Sequence, residues 1–497
     1  MRKVRSVLAT VVALLLGLAL TVLPTGSAQA AGGSATDWMS QGKFGVMEHF
    51  LAEGCPPDGC PTTTYPKLPT AEEWNDRVDA YDVKGVVQQL KSVGAGWMQI
   101  ALGQNTAYYT SPNATYDALV PPTAEHPSRL SRRDLIKELG AALHAEGMKL
   151  IVYVTSDTMA YDDYARLMLA GPDQVKQEQP TPVFQANWLK VVQTWATQWG
   201  TDVDGFWVDG AFFELLEPFY DQMARTLRRG NPKALVSFNA GSVRPLRSWT
   251  KESDFTPGET GADDWPRPTD SRWVDDRGTR TQLQYLSFLQ RYWGDEPTAP
   301  LSFSTDEIVS LSRGVVRVGG AVTWDVGYDR SNGHISEPAM EQLKAIGQAV
   351  RNLALGQAAT QSSTGYGGDA ARAVDGNTDG DFGAGSVTHT SDSPLDTDPW
   401  WQVDLGSSRQ VGSIRLWNRA DCCSDRLRDV YVLTSDTPFT SSDLTATLAQ
   451  PGVTGFHQEA AVGTSLIVPV DRTARYVRVQ LRGSDRPLSL AEVQVLS

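Results

Sequence analysis

Residues 204–210 read DGFWVDG. Phe206, Trp207 and Val208 make a short apolar run between two Asp-Gly pairs, which reads as a buried strand that ends on an ionisable residue, Asp209. Runs of the same kind lie on both sides of it: KFGVMEHF (43–50), AGWMQIAL (95–102), MKLIVYVTS (148–156), ALVSFNAG (234–241), SDFTPGE (253–259), APLSFST (299–305) and GGAVTWDVG (319–327). Between many of them the apolar residues recur with helical spacing, as in DVKGVVQQLKSVG (82–94), RRDLIKELGAALHAEG (132–147) and EPAMEQLKAIGQAVRN (337–352). Strands alternating with helices point to an α/β unit over residues 32–352, a (β/α)8 TIM-like barrel. A doubly wound open sheet is the alternative reading of the same alternation.

After residue 353 the grammar changes. Helical spacing disappears, and WWQVDLG (400–406), SIRLWNR (413–419), RDVYVLTS (428–435) and RYVRVQL (475–481) are separated by polar turns. That pattern predicts an all-β jelly-roll sandwich over 353–497. No long Pro- or Ser-rich linker separates the halves, so they are expected to pack together.

The chain opens with a basic start, an apolar core and a small-x-small ending at Ala28-Gln29-Ala30, the pattern of a secretory signal peptide over residues 1–31. An N-terminal membrane anchor is the alternative; no other run is long enough to span a bilayer. The expected mature protein is secreted and acts away from membranes. A net charge of −14 argues against nucleic acid as a partner and favours neutral substrates. Cys55 and Cys60 flank a turn-forming Pro-Pro-Asp-Gly, and export makes a disulfide their default reading. Oligomeric state is not legible.

In a barrel of this kind the chemistry sits at the C-terminal ends of the strands. Glu48 and His49 end the first run, Asp157 follows the third, Asp209 ends the fourth, Glu259 ends the sixth and Asp325 lies late in the last. Aromatic residues accompany them: Tyr108, Tyr109, Trp207, Phe212, Trp273 and Trp324. Carboxylates beside aromatic platforms suit a neutral sugar, and two carboxylates are the minimum for glycoside hydrolysis. Taken singly, Asp209 also reads as a helix cap and Glu259 as a surface loop acid.

KFGVMEHF, DGFWVDG, DFTPGET (254–260) and VGGAVTWDVGYDRSNGHISEPAMEQLKAIG (318–347) together resemble the retaining α-L-fucosidases of glycoside hydrolase family 29. The resemblance implies that Asp209 is the nucleophile, Glu259 the general acid/base and His49 a ligand of sugar hydroxyls, with no metal in catalysis. Glu48, Trp207, Trp273 and Trp324 are expected around the sugar. The chain departs from the family after the second strand, where LGQNTAYY (102–109) puts Gly103 and Gln104 in place of an adjacent histidine pair. Gln104 or Asn105 is then expected to meet the hydroxyls. The exact sugar is thereby open, as is an inactive, enzyme-like binder.

The C-terminal part resembles fucose-binding lectins of the F5/8 type C, discoidin-like class through NLALGQAATQSS (352–363), RAVDGNTDGDFGAGSVTHT (372–390), PWWQVDLG (399–406), NRADCCSDRL (418–427) and LAEVQVLS (490–497). The resemblance implies a fucose site of His389, Arg419 and Arg426, with a disulfide between Cys422 and Cys423 offering an apolar face. It also implies a structural Ca²⁺ held by Asp375, Asn377, Ser386 and Glu492, with Arg372 at a backbone-carbonyl position. The oxygen-rich, glycine-punctuated loop suits such an ion. Both halves thus point to a fucosylated glycan, which a tethered lectin would concentrate near the barrel.

Overall fold

The computed structural model describes residues 34–497, apart from 53–67, 158–161, 176–177, 244–245, 247–249, 262–264, 266–270 and 277. The leader and the Cys55–Cys60 pair lie outside the described residues.

Seven parallel strands build the first half: β1 (Phe44–Glu48), β2 (Trp97–Ala101), β3 (Lys149–Thr155), β4 (Gly205–Asp209) and β5 (Leu235–Phe238), then β8 (Gln284–Phe288) and β9 (Ala321–Asp325). Their order is β5-β4-β3-β2-β1-β9-β8. Beyond β8 lies the extended segment 254–260, where the Leu286 amide donates to the Gly258 carbonyl at 2.9 Å and the Thr260 amide to the Leu286 carbonyl at 2.9 Å. The Asp254 amide reaches the Val236 carbonyl of β5 at 2.8 Å, without a regular ladder there among the described residues. The arrangement fits a TIM-like barrel. A short hairpin, β6 (Trp273–Asp276) and β7 (Thr279–Gln282), precedes β8.

Helices cover the outside of this sheet. Their starts are held by side chains that accept an otherwise unpaired amide, such as Asp82 from Gly85 at 2.9 Å and Asp134 from Lys137 at 3.2 Å. Val86, Val87, Leu90 and Val93 form the buried stripe of one helix, and Leu135, Ile136, Leu139 and Leu143 that of another. A separate cluster, including Met47, Ile151, Tyr153, Trp207 and Leu286, fills the inner face of the sheet.

The strand expected at 299–305 does not form. The stretch 299–305 is a connection with one isolated bridge, Gln290 to Leu301, and Ser304 caps the helix Thr305–Arg317 that follows. Its place in the sheet belongs to β8. Gln284 and Ser287 are fully enclosed there, the Gln284 amide donating to Thr323 Oγ1 at 2.9 Å, so the strand shows no continuous apolar run.

The second half is antiparallel, with β10 (Ala358–Gln361), β11 (Trp400–Trp417), β12 (Val430–Ser435), β13 (Thr454–Gln458), β14 (Ser465–Leu481) and β15 (Glu492–Leu496). The order is β10-β11-β14-β12-β13, with β15 on β11. Register shifts near Asp404 and Val411 let the two longest strands bend through the domain around a core that includes Trp401, Ile414, Val432, Val477 and Val493. The halves are packed, as expected. Leu496 of β15 joins the barrel's core cluster, Asn352 pairs with Leu496, and Arg415 donates to Ser40 Oγ at 2.6 Å. Among the described residues no helix is long and apolar enough to cross a membrane.

Candidate active site

Parallel strands bring their C-terminal ends to one mouth, and the two-residue period of a strand decides which side chains enter it. In β4, Trp207 and Asp209 share the inner face. The Trp207 indole donates to the Pro257 carbonyl at 2.9 Å, and its ring lies 5.2 Å from that of Tyr153. Asp209 accepts from the Tyr153 hydroxyl at 2.7 Å through Oδ2 and from Asn239 Nδ2 at 2.8 Å through Oδ1. The same Asn239 nitrogen donates to Glu259 Oε2, and Ser242 donates to Glu259 Oε1 at 3.1 Å. One amide nitrogen touching both carboxyls places their nearest oxygens within two hydrogen-bond lengths, roughly 5–6 Å. The acid that ends β4 and the acid of the extended segment 254–260 therefore meet at one place in the mouth.

Electrostatics separate them. Burial pushes the Glu259 carboxyl above its ordinary range, and the neighbouring Asp209 adds to this. Asp157 is pushed up in the same way, by burial first and Asp209 second. Its carboxyl packs on the α-carbon of Gly210, where φ is +76° and a β-carbon would fall 1.9 Å from Asp157 Oδ1. The glycine after Asp209 is thus required by both backbone and space.

His49 follows the inward-facing Met47 by two residues and enters the mouth, with Nδ1 2.7 Å from Asp325 Oδ1. Burial pulls the ring's pKa down, but Asp325, with smaller help from Asp209 and Glu259, raises it overall. Asp325 also accepts from the Gly294 amide at 2.6 Å, and the Trp293 ring stands 5.7 Å from His49. Gln104 donates to the Tyr153 hydroxyl at 2.5 Å, completing a chain from Gln104 through Tyr153 to Asp209. Asn105 lies half-buried in the same turn.

Three expected sugar contacts are corrected. Glu48 alternates outward, fully buried among the helices, and accepts from the Tyr81 hydroxyl at 2.8 Å; burial pushes its pKa up to about 8. Trp324 also faces outward, its indole donating to Ser312 Oγ at 3.1 Å and its ring stacked 5.2 Å from Trp265. Trp273 begins β6, at the end of the barrel where β8 starts, under the guanidinium of Arg272 at 4.3 Å. Arg272 in turn meets Asp37 at 2.6 Å in the helix before β1, so this tryptophan stands at the opposite end from Asp209.

Asn239, Tyr153, Ser242 and Trp293 were not singled out from sequence. Asn239 was findable by position, since it directly follows a strand in ALVSFNAG, but it is not ionisable and so escapes the criterion that selected Asp209. Tyr153 reads as one more apolar residue inside MKLIVYVTS.

In the second half, His389 is buried with its ring 5.3 Å from Tyr366 and 5.8 Å from Phe382. Burial lowers its pKa, and the nearby charges of Arg419 and Arg426 lower it further, so the three sit close together. Arg419 is held by Asp421 at 2.7 Å and lies 4.8 Å over Phe382. The sulfurs of Cys422 and Cys423 are in contact, with Cα atoms 3.8 Å apart. In the expected metal loop Asp375, Asn377 and Asp379 each accept the amide two residues on, at 2.7, 3.0 and 3.0 Å. Ser386 Oγ donates to the Asp381 carbonyl at 2.9 Å, and the Arg372 guanidinium to the Val387 carbonyl at 3.1 Å. Glu492 accepts from Gly376 at 3.3 Å and from Asn352 at 3.2 Å; burial and then Asp375 push it up to about 8.

A family model described as NedA-like, galactose-binding domain, of F5/8 type C, matches residues 372–479. Fucolectin-5 of Anguilla japonica is 39% identical over 87 residues, 16% of this chain and 44% of the relative. Fucolectin of Anguilla anguilla is 38% identical over 86 residues, covering 16% and 52%. The C-terminal region is an F5/8 type C, fucolectin-like domain. The chain spans about half the length of the curated relatives it matches. In fold, a Ruminococcus gnavus fucosidase of glycoside hydrolase family 29, solved as a mutant with fucose, aligns with TM-score 0.54 at 12% identity over 96% of this chain and 97% of its own. A Bacteroides thetaiotaomicron protein assigned as an α-L-fucosidase aligns with TM-score 0.55 at 12% identity, covering 96% and 99%. The N-terminal region therefore has the fold of these fucosidases.

Proposed function

We propose that this chain is a secreted exo-acting glycosidase, a retaining α-L-fucosidase that removes terminal fucose from glycans, and that its closed (β/α)8 barrel works with a fucose-binding module. The observation that carries this reading is the Asn239 amide donating to both Asp209 and Glu259. The bridge keeps the nearest carboxyl oxygens within about two hydrogen-bond lengths, compatible with the ~5–5.5 Å of retaining enzymes and short of the ~6.5–9.5 Å of inverting ones.

In the first step the Asp209 carboxylate attacks the anomeric carbon while Glu259 gives its proton to the departing glycosidic oxygen. The leaving alcohol departs and an Asp209 ester remains. In the second step the Glu259 carboxylate takes a proton from water, whose oxygen displaces Asp209. Burial, and after it the neighbouring Asp209, raise the Glu259 pKa, which favours the protonated form that the first step needs. Tyr153 and Asn239 hold Asp209 in place, and Asp325 occupies His49 Nδ1, leaving Nε2 for a sugar hydroxyl.

In the lectin module Arg419, Arg426 and His389 would hold a fucose, since cationic donors bond hydroxyls strongly. A Cys422–Cys423 disulfide would present an apolar face beside them. The loop fits a hard cation: Asp375 and Glu492 bring two carboxylates together, and carbonyls and the Ser386 hydroxyl supply further oxygens. Among the described residues no three His, Cys, Asp or Glu side chains group, so those neutral oxygens would complete the shell. Ca²⁺ there would neutralise the carboxylate pair; Asn377 and the Arg372 carbonyl complete the proposed set.

The test is nitrophenol release from an aryl α-L-fucoside, with the anomer of the first product read by NMR. Wild type is expected to release the retained anomer, and Asp209→Ala to lose at least a thousandfold in kcat/KM. No release by wild type would leave a fucoside-binding protein, and turnover of a different aryl glycoside would change the sugar.

A further inference from the structure

We propose that Phe212 forms the floor of an aglycone subsite, one that takes a neutral hexopyranose ring, so that the natural leaving group is a saccharide. This deepens the hydrolase reading and rests on the assignment of Glu259 as the acid.

Phe212 follows Asp209 by three residues and is half exposed; among the described barrel tyrosines, phenylalanines and tryptophans only Tyr292 is comparably exposed. Its ring rests on Gly241: a β-carbon built there, where φ is +83°, would lie 3.6 Å from Cε1 and 3.9 Å from Cδ1. Gly241 belongs to the turn that holds the acid. Its amide donates to Asn239 Oδ1 at 3.1 Å, Asn239 Nδ2 donates to Glu259, and the next residue, Ser242, donates to the other Glu259 oxygen at 3.1 Å. One four-residue turn, Asn239 to Ser242, therefore positions the proton donor and supports an exposed aromatic ring.

The two facts have a joint consequence. Glu259 must deliver its proton to the glycosidic oxygen, so whatever is attached to that oxygen leaves across this turn. An aglycone leaving on that side passes beside the exposed part of Phe212. The ring carries no hydrogen-bonding group, which favours the C–H face of a pyranose. The whole chain carries −14, so a phosphorylated or sulfated aglycone is disfavoured.

The experiment compares two donors with the full-length protein: fucosyl fluoride, whose leaving group has no ring, and a fucosylated trisaccharide. Phe212→Ala is expected to lower kcat/KM on the trisaccharide about tenfold, the scale of one aromatic contact, mainly through KM. It should leave the fluoride within about twofold, and Phe212→Trp should restore the trisaccharide. Equal losses on both donors, or no loss on the trisaccharide, would overturn the subsite. If wild type turns over neither donor, the hydrolase reading fails and the subsite fails with it.

Discussion

Replacing Asn239 by alanine removes one nitrogen from between two acids. That nitrogen donates to Asp209 Oδ1 at 2.8 Å and to Glu259 Oε2. A hydrogen bond contributes about 0.5–1.5 kcal/mol, or about 1.5–3 kcal/mol to a charged group, and the proposed first step uses one charged and one protonated acid. The combined loss in transition-state stabilisation is then about 2–4 kcal/mol, or roughly 30- to 1,000-fold in kcat/KM. The pH profile gives a second, independent readout. The Asn239 bond lowers the Glu259 pKa, opposing burial and Asp209, which raise it. A general acid works while protonated, so activity is present below its pKa and is lost as pH rises through it. Without the amide the Glu259 pKa rises, and the alkaline limb of kcat/KM moves to higher pH by roughly one to two units. The assay is kcat/KM on an aryl α-L-fucoside across pH, with circular dichroism to confirm folding. An alkaline limb that stays in place or moves down, with kcat/KM within threefold of wild type, would refute the bridge.

Two further outcomes are expected. Glu48, pushed by burial up to about 8 from 4.5, holds a proton in the folded chain that the unfolded chain releases earlier. Its stabilising contribution is complete below the unfolded value and is lost as pH rises through about 8, so Glu48→Gln should flatten that decline. The gain at alkaline pH should reach several kcal/mol, with ~5 as a ceiling, read by urea unfolding either side of neutrality; equal pH slopes in both proteins would contradict it. Arg426→Ala in an Asp209→Ala background should abolish retention of the full chain on immobilised fucose, while Arg426→Ala alone keeps wild-type kcat/KM on the aryl fucoside; undiminished retention would move the sugar site elsewhere.

Much of the fold is written in local periodicity. The apolar runs at 43–50, 95–102, 148–156, 204–210, 234–241 and 319–327 contain β1 to β5 and β9, because each strand is covered on both faces and reads as an apolar block. The same rule fails at β8, where the buried Gln284 and Ser287 interrupt the apolar run and Gln284 donates to Thr323 Oγ1. Strand ends also mark the mouth, which is why Asp209, Glu259, His49 and Asp325 were legible. Alternation further requires that Glu48 and His49 face opposite ways and that Trp207 and Asp209 face the same way.

By itself, then, the sequence determined the two grammars, the strand ends that carry acids, and the order in which they come, since these depend on neighbours along the chain. Only the tertiary structure decided which face of each strand is the inner one, sending Glu48 and Trp324 to the helices and Trp273 to the far end. It alone joined Asn239 to Asp209, 30 residues away, and to Glu259, 20 residues away. Such contacts are set by how the sheet curves and closes the distance between strands, a property of the assembled fold that no local pattern of side chains encodes.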